Sequence, residues 1–75
     1  MTSGEYAVIL VHSTSHALRA ERILQEAGIA MKLIPVPRHL SSDYGVCIRV
    51  ERVVREDARQ MLESAGMEIS AVHDI

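Results

Sequence analysis

The chain has 75 residues, 48% hydrophobic and 24% charged, a balance typical of a folded domain rather than a disordered segment. A net charge of −2 and only two aromatic residues argue against a nucleic-acid interface, which needs a basic surface and aromatic stacking platforms. The sequence has no apolar run of the roughly 20 residues that span a membrane, and no signal-peptide pattern, so residues 1–75 are expected to form a single cytoplasmic domain.

The first half of the chain predicts a strand, a helix and a second strand. Residues 6–11 are a short run rich in β-branched types, and the hydroxyl residues after them offer N-caps for a helix. The apolar residues that follow recur at helical spacing: Ala17, Ala20, Ile23, Leu24 and Ala27. Gly28 then favours a left-handed helix end. Residues 31–36 predict the second strand, and Pro35 places it at a sheet edge because proline has no N–H to donate.

The second half repeats this order after a turn. Residues 37–45 are turn-forming throughout. Val46, Ile48 and Val50 alternate with Cys47 and Arg49, which predicts a third strand with one face toward the helices. A second apolar helical face follows: Val54, Ala58, Met61, Leu62 and Ala65. It ends at Gly66, and residues 69–75 predict the last strand.

The element order βαββαβ predicts an α+β, ferredoxin-like split βαβ fold. Right-handed crossovers then give a four-stranded antiparallel sheet of order 4-1-3-2, with both helices on one face. The second strand falls at an edge in this order, as Pro35 requires.

The predicted topology places the start of the first helix and the 37–45 loop at the end of the sheet near Cys47. A helix amino end and a neighbouring arginine lower a thiol pKa and attract anions, so Cys47 is the candidate reactive thiol. The candidate binding residues around it are Ser13, Thr14, Ser15, Arg38, Ser41, Ser42, Tyr44, Gly45 and Arg49. The alternative is that a lone cysteine in a strand is an inert apolar filler.

The four histidines and the remaining polar residues do not predict an enzyme. His12 and His16 are four residues apart, but a strand end and a helix start separate them, and His39 lies in the 37–45 loop. That spacing binds metal when both residues lie on one helix, so we expect no metal site and no cofactor. The sequence assembles no acid, base and nucleophile, which favours a carrier or binding protein over a conventional enzyme.

Residues 12–21, 26–29 and 33–49 carry a resemblance to a known family. Residues 33–49 include the unusual stretch Pro-Arg-x-Leu-Ser-Ser-x-x-Gly. The chain resembles small bacterial proteins described as selenium/sulfur carrier-like. The family pattern commonly has a cysteine where this chain has Tyr44, and often a second one at the position of Cys47. Two-thiol chemistry is therefore excluded within one chain. If the family carries its cargo on the cysteine that Tyr44 replaces, this chain has lost the activity; if Cys47 suffices alone, the resemblance implies a one-thiol carrier.

Two hypotheses about function follow. In the first, Cys47 receives sulfur or selenium from a donor protein, holds it as a persulfide-type group, and passes it to an acceptor protein. The alternative is a non-catalytic module that dimerises or senses a small anion, with the cysteine as structural filler. Because the helices cover one sheet face and the first strand, residues 6–11, is apolar on both faces, we expect a homodimer through the open face. Neither nucleic acid nor membrane is expected as a partner.

Overall fold

The computed structural model describes residues 5–40 and 45–75. Within these ranges the chain follows the predicted βαββαβ order, with one added turn. The elements are β1 (Tyr6–Leu10), α1 (Thr14–Glu26), β2 (Met31–Pro35), β3 (Val46–Glu51), a 3-10 turn (Arg52–Val54), α2 (Arg55–Ser64) and β4 (Ala71–Asp74). Each strand begins and ends within about two residues of its predicted bounds.

The strands of the described chain pair in the order β2-β3-β1-β4 with antiparallel neighbours, which confirms the predicted order 4-1-3-2. Pro35 is the last residue of the edge strand β2 and pairs with Val46. The next residue, Val36, donates its N–H across the pair to the carbonyl of Gly45 at 3.4 Å. N–H groups alternate in direction along a strand. The nitrogen of Pro35, which carries no hydrogen, therefore faces away from β3, and no hydrogen bond of the strand pair is lost.

The start of α1 and the ends of both helices lie where the sequence indicated. Ser13 is the N-cap of α1, with an extended backbone (φ −156°) and a hydroxyl that accepts from the N–H of His16 at 3.2 Å. Gly28 and Gly66 follow α1 and α2 with φ angles of +79° and +82°. Most other residues would be strained in this left-handed region, so both glycines end their helices as predicted.

The 3-10 turn before α2 was not predicted from the sequence. Arg52 Nη2 donates to the carbonyl oxygen of Ile75 at 2.7 Å. The Arg52 guanidinium also lies 3.7 Å from carboxylate oxygens of Glu5 and Asp74, and Arg55 forms an ion pair with Asp74. These contacts tie the turn to the outer ends of β1 and β4, so residues distant in sequence fix where α2 begins.

Apolar side chains form two clusters, one on each face of the sheet. The cluster between the sheet and the helices contains the buried residues Ala7, Ile9, Val11, Ala17, Ala20, Leu24, Ile48, Val50, Ala58, Leu62 and Met67. The cluster on the other face contains the buried residues Val8, Leu10, Val36 and Cys47. Both helices therefore cover the same face, as predicted. In the described ranges neither helix has the length and apolar character needed to cross a membrane.

Candidate functional site

Cys47 is the second residue of β3, and its side chain lies on the sheet face opposite the helices. Side chains alternate along β3, so Ile48 and Val50 enter the helix-side cluster while Cys47 enters the smaller one. The register places Cys47 directly opposite Ile34 of β2. Val8 and Leu10 of β1 pack in the same cluster. The face on which Cys47 lies is the one that the alternating pattern predicted.

Side chains from the segment after β2 cover the thiol. Val36 is buried and Leu40 is partly buried against the same cluster. We call the whole group the thiol cluster: Val8, Leu10, Val36 and Cys47, with the partly buried Ile34, Leu40 and Ala71. Cys47 exposes 0% of its surface. The expectation of an accessible thiol is therefore wrong for this structure, because Val36 and Leu40 fold over a face that was expected to be open.

Burial raises the pKa of the Cys47 thiol above its ordinary value of 9.0. A thiolate among these aliphatic side chains would lose its hydration, and desolvation disfavours the charged form. This corrects the expectation that the helix start and a nearby arginine lower the pKa. The thiol is protonated at neutral pH in the closed structure, and a protonated thiol is a poor nucleophile.

Arg49 shares the sheet face of Cys47, but its guanidinium contacts a tyrosine. Its Cζ lies 4.2 Å from the centroid of the Tyr6 ring, which is a cation–π contact. The register pairs Val8 with Arg49 and Tyr6 with Glu51, two residues further from Cys47 along β3. Stacking on Tyr6 therefore turns the guanidinium away from the thiol.

The start of α1 lies on the other side of the sheet from the thiol cluster. Ser13 uses its hydroxyl as the N-cap, and Thr14 and Ser15 are exposed. A Cβ at Gly45 would lie 3.7 Å from Thr14 Oγ1, so the loop after β2 returns beside the helix start, as predicted. Because α1 packs into the helix-side cluster, the sheet separates its amino end from Cys47.

The other candidate binding residues lie in the loop between β2 and β3. Arg38 is exposed in a turn closed by a hydrogen bond from the N–H of Leu40 to the carbonyl of Pro37 at 3.0 Å. Three candidates lie outside the described residues: Ser41, Ser42 and Tyr44. The structure thus brings Thr14 and Gly45 together, and it holds Arg49 on the opposite face from α1.

A sequence profile of the family described as “Putative Se/S carrier protein-like” matches residues 5–74. The chain belongs to this family. The match spans every strand and helix described above and confirms the resemblance seen in the sequence. No curated protein and no solved structure matches the chain. Because a carrier exchanges its cargo with other molecules, membership in the Se/S carrier-like family implies partner proteins.

The burial of the thiol limits which molecules can reach it in this member of the Se/S carrier-like family. The sequence contains a single cysteine, Cys47, and that residue is closed to solvent. Sequence reasoning missed the closure because Val36 and Leu40 border or lie in a turn-rich segment with no periodic pattern. The available signal was their apolar character among turn-forming neighbours.

Sequence reasoning also missed the partners of the histidines near the start of α1. His12 Nε2 lies 3.3 Å from Glu68 Oε1, and His12 Nδ1 lies 3.4 Å from Ser70 Oγ. His16 Nδ1 lies 2.7 Å from the hydroxyl of Ser13. In residues 5–40 and 45–75 no group of three or more His, Cys, Asp or Glu side chains is placed to hold a metal ion. In this Se/S carrier-like protein, these contacts instead bind the histidines to neighbouring polar side chains.

Proposed function

We propose that this protein carries one sulfur or selenium atom as a persulfide-type group on Cys47. The observation that carries the proposal is that a member of a Se/S carrier-like family has one thiol in its whole sequence. With no second cysteine in the chain, the cargo leaves only by transfer to a group on another molecule. An unpaired thiol stays reduced in the cytoplasm, which is where we propose that the protein acts.

Loading is the transfer of one sulfane sulfur from a donor persulfide. The Cys47 thiolate attacks the outer sulfur of the donor's S–SH group, a new S–S bond forms, and the donor's own S–S bond breaks. The donor leaves as a thiolate, which takes up the proton that Cys47 released. The transfer needs no external oxidant, because the donor supplies the sulfur already at the persulfide level. Unloading is the same exchange with an acceptor thiolate, and selenium follows the same steps.

The thiol cluster must open for either step, because a donor cannot reach a thiol that is fully buried. In the described chain Val36 and Leu40 are the members of the thiol cluster that lie outside the strands, so the segment that carries them is the part of the cover that moves in this proposal. Displacing this segment hydrates Cys47 and removes the burial that raises its pKa. Opening therefore provides access and brings the thiol pKa back toward its ordinary value, and closing again shields the loaded sulfur from water and other thiols.

The candidate binding residues have a role in the open state of this proposal. They are Ser13, Thr14, Ser15, Arg38, Gly45 and Arg49, with Ser41, Ser42 and Tyr44 outside the described residues. The amino end of α1 has partial positive charge, and arginine adds a full one, so both attract an anionic group of the partner protein. The closeness of Gly45 to Thr14 supports this, because it joins the loop to the helix start.

Intact mass spectrometry tests the proposal directly. Incubation of the protein with a cysteine desulfurase and cysteine is expected to add the mass of one sulfur atom, and dithiothreitol is expected to remove it. Repeating the incubation with a selenocysteine-specific enzyme and selenocysteine separates selenium from sulfur. Cys47→Ala is the matched control, because a serine hydroxyl buried in the thiol cluster would cost about 1–3 kcal/mol. A gain in mass that persists in Cys47→Ala contradicts the proposal. The proposal is also contradicted if the chain accepts sulfur only when it is unfolded by urea and not when it is folded.

The full burial of Cys47 favours a second candidate, a non-catalytic module that dimerises or senses a small anion. In that case the cysteine is a filler, and Cys47→Ala leaves every partner interaction unchanged. Val36 and Leu40 already cover part of the open face, so a second copy would have to bind the remainder, around Tyr6 and Arg49. Sedimentation at roughly tens of micromolar tests this, and a monomer there would remove the dimer.

A further inference from the structure

A row of basic side chains crosses the sheet on the face that carries Cys47. The registers place Lys32 of β2 opposite Arg49 of β3, Arg49 opposite Val8 of β1, and Val8 opposite His73 of β4. Directly opposite residues share a face, and Val8 belongs to the thiol cluster, so the whole row faces away from the helices. We call Lys32, Arg49 and His73 the basic row.

No ion pair joins a member of the basic row to a carboxylate within the part of the chain that the structure describes. The nearby carboxylates that share depressions with the row are Glu51, Glu56 and Asp74. By contrast, the arginines at and after the 3-10 turn form ion pairs with carboxylates: Arg52, Arg55 and Arg59. Lys32 is exposed, and the other two members of the row are partly exposed. Like charges directly opposite each other, as at Lys32 and Arg49, destabilise a sheet. An acidic ligand would remove that repulsion.

Tyr6 orients Arg49 toward a ligand. Stacking of the guanidinium over the ring, at 4.2 Å, leaves the N–H groups at its edge available for a carboxylate. Tyr6, Lys32 and Arg49 also line a shallow depression of about 270 Å³. Glu51 also lines this depression and is the one acidic residue among the lining residues. A depression of this size fits one or two side chains of a bound segment rather than a large ligand.

We propose that the basic row docks an acidic segment of the partner protein that delivers or receives the cargo, an inference that rests on the proposed carrier function. Arg49 is two residues from Cys47 on β3, so a segment bound to the row lies beside the thiol cluster. Opposite charge speeds encounter and selects the partner. A protein segment is favoured over nucleic acid because Tyr6, the one Tyr, Phe or Trp in the described strands, is already stacked by Arg49, and the net charge is −2.

Fluorescence anisotropy with a labelled oligoglutamate peptide tests the docking surface. The test variant is Lys32→Gln/Arg49→Gln. The matched control is Arg19→Gln/Arg22→Gln, which removes the same charge from two exposed residues of α1, a helix that packs against the other sheet face. We expect the test variant to bind the peptide roughly fivefold more weakly at low salt, and the control to bind nearly as well as wild type. About 1 M salt, where the screening length is ~3 Å, is expected to abolish binding.

Several outcomes overturn the proposal: no binding by wild type, unchanged binding by the test variant, or equal weakening in the control. Because Arg49→Gln also removes the stacking on Tyr6, circular dichroism must show a folded protein, and Lys32→Gln alone must give part of the loss. Tighter binding of oligouridylate RNA to the basic row would assign the surface to nucleic acid instead. The variant Cys47→Ala distinguishes the docking proposal from the carrier proposal. The docking proposal requires this variant to bind the peptide as wild type does, whatever the result of the sulfur-loading experiment.

Discussion

At Cys47 the packing that stabilises the fold opposes the ionisation that the proposed chemistry needs. The folded protein holds the pKa of this thiol above 9.0, because the thiol cluster cannot hydrate a thiolate. In the unfolded chain the thiol returns to its ordinary pKa, so the unfolded state loses its proton first as the pH rises. Between the two pKa values the unfolded state binds fewer protons, and the free energy of unfolding falls. This contribution to stability is therefore fully present below the unfolded pKa and is lost as the pH rises through the folded one.

We predict that the free energy of unfolding decreases as the pH rises above 9.0, and that it decreases less in Cys47→Ala. Urea denaturation of both proteins over a pH series measures the two curves. Tyrosine and lysine titrate in the same range, but they are present in both proteins, so the difference between the curves isolates the thiol. Curves that stay parallel through the alkaline range would show that Cys47 ionises equally in both states.

At the scale of the elements, the strands could be predicted because each has a local cause. The alternation around Cys47 gave the orientation of β3, and Pro35 gave the edge position of β2. The cover of the thiol could not be predicted, because Val36 and Leu40 contact the sheet through a segment without a repeating pattern. The 3-10 turn at Arg52 was missed for a different reason: the residues that hold it in place are far away in sequence.

The segment after β2 should control the reactivity of Cys47. Val36→Ala removes two buried carbon atoms from the cover, and at about 0.8 kcal/mol each this makes opening roughly tenfold more frequent. We therefore expect roughly tenfold faster alkylation of the native thiol by iodoacetamide. Leu18→Ala is the matched control, because Leu18 is a large apolar residue that is 53% exposed on α1.

Global unfolding provides a second route to the thiol, and urea distinguishes it from opening of the segment. Alkylation through the segment alone should depend weakly on urea, because it exposes little surface. A rate in Val36→Ala that rises steeply with urea, in proportion to the unfolded fraction, would show that the cover does not open separately. An unchanged rate would show that Val36 does not limit access to Cys47.

For the whole molecule, the sheet separates two apolar layers of unequal size. In the described residues the helix-side cluster has eleven buried residues, and the thiol cluster has four. Local openings occur where few buried contacts must break, so the thiol cluster should open while the helix-side cluster stays packed. The carrier proposal makes use of this asymmetry, because the cargo is held on the weaker side of a sheet whose other side maintains the fold.

Loading should therefore strain one layer and leave the other intact. A persulfide adds one heavy atom to a closed cluster, and overpacking of this kind costs about 1–3 kcal/mol. We predict that the loaded protein has a free energy of unfolding lower by about that amount, measured by urea denaturation against the same sample after dithiothreitol treatment. Amide exchange should become faster at Val36 and Leu40 and stay slow at Leu24 in α1. A loaded protein as stable as the reduced one would contradict this prediction, since the closed thiol cluster would then already have room for the cargo.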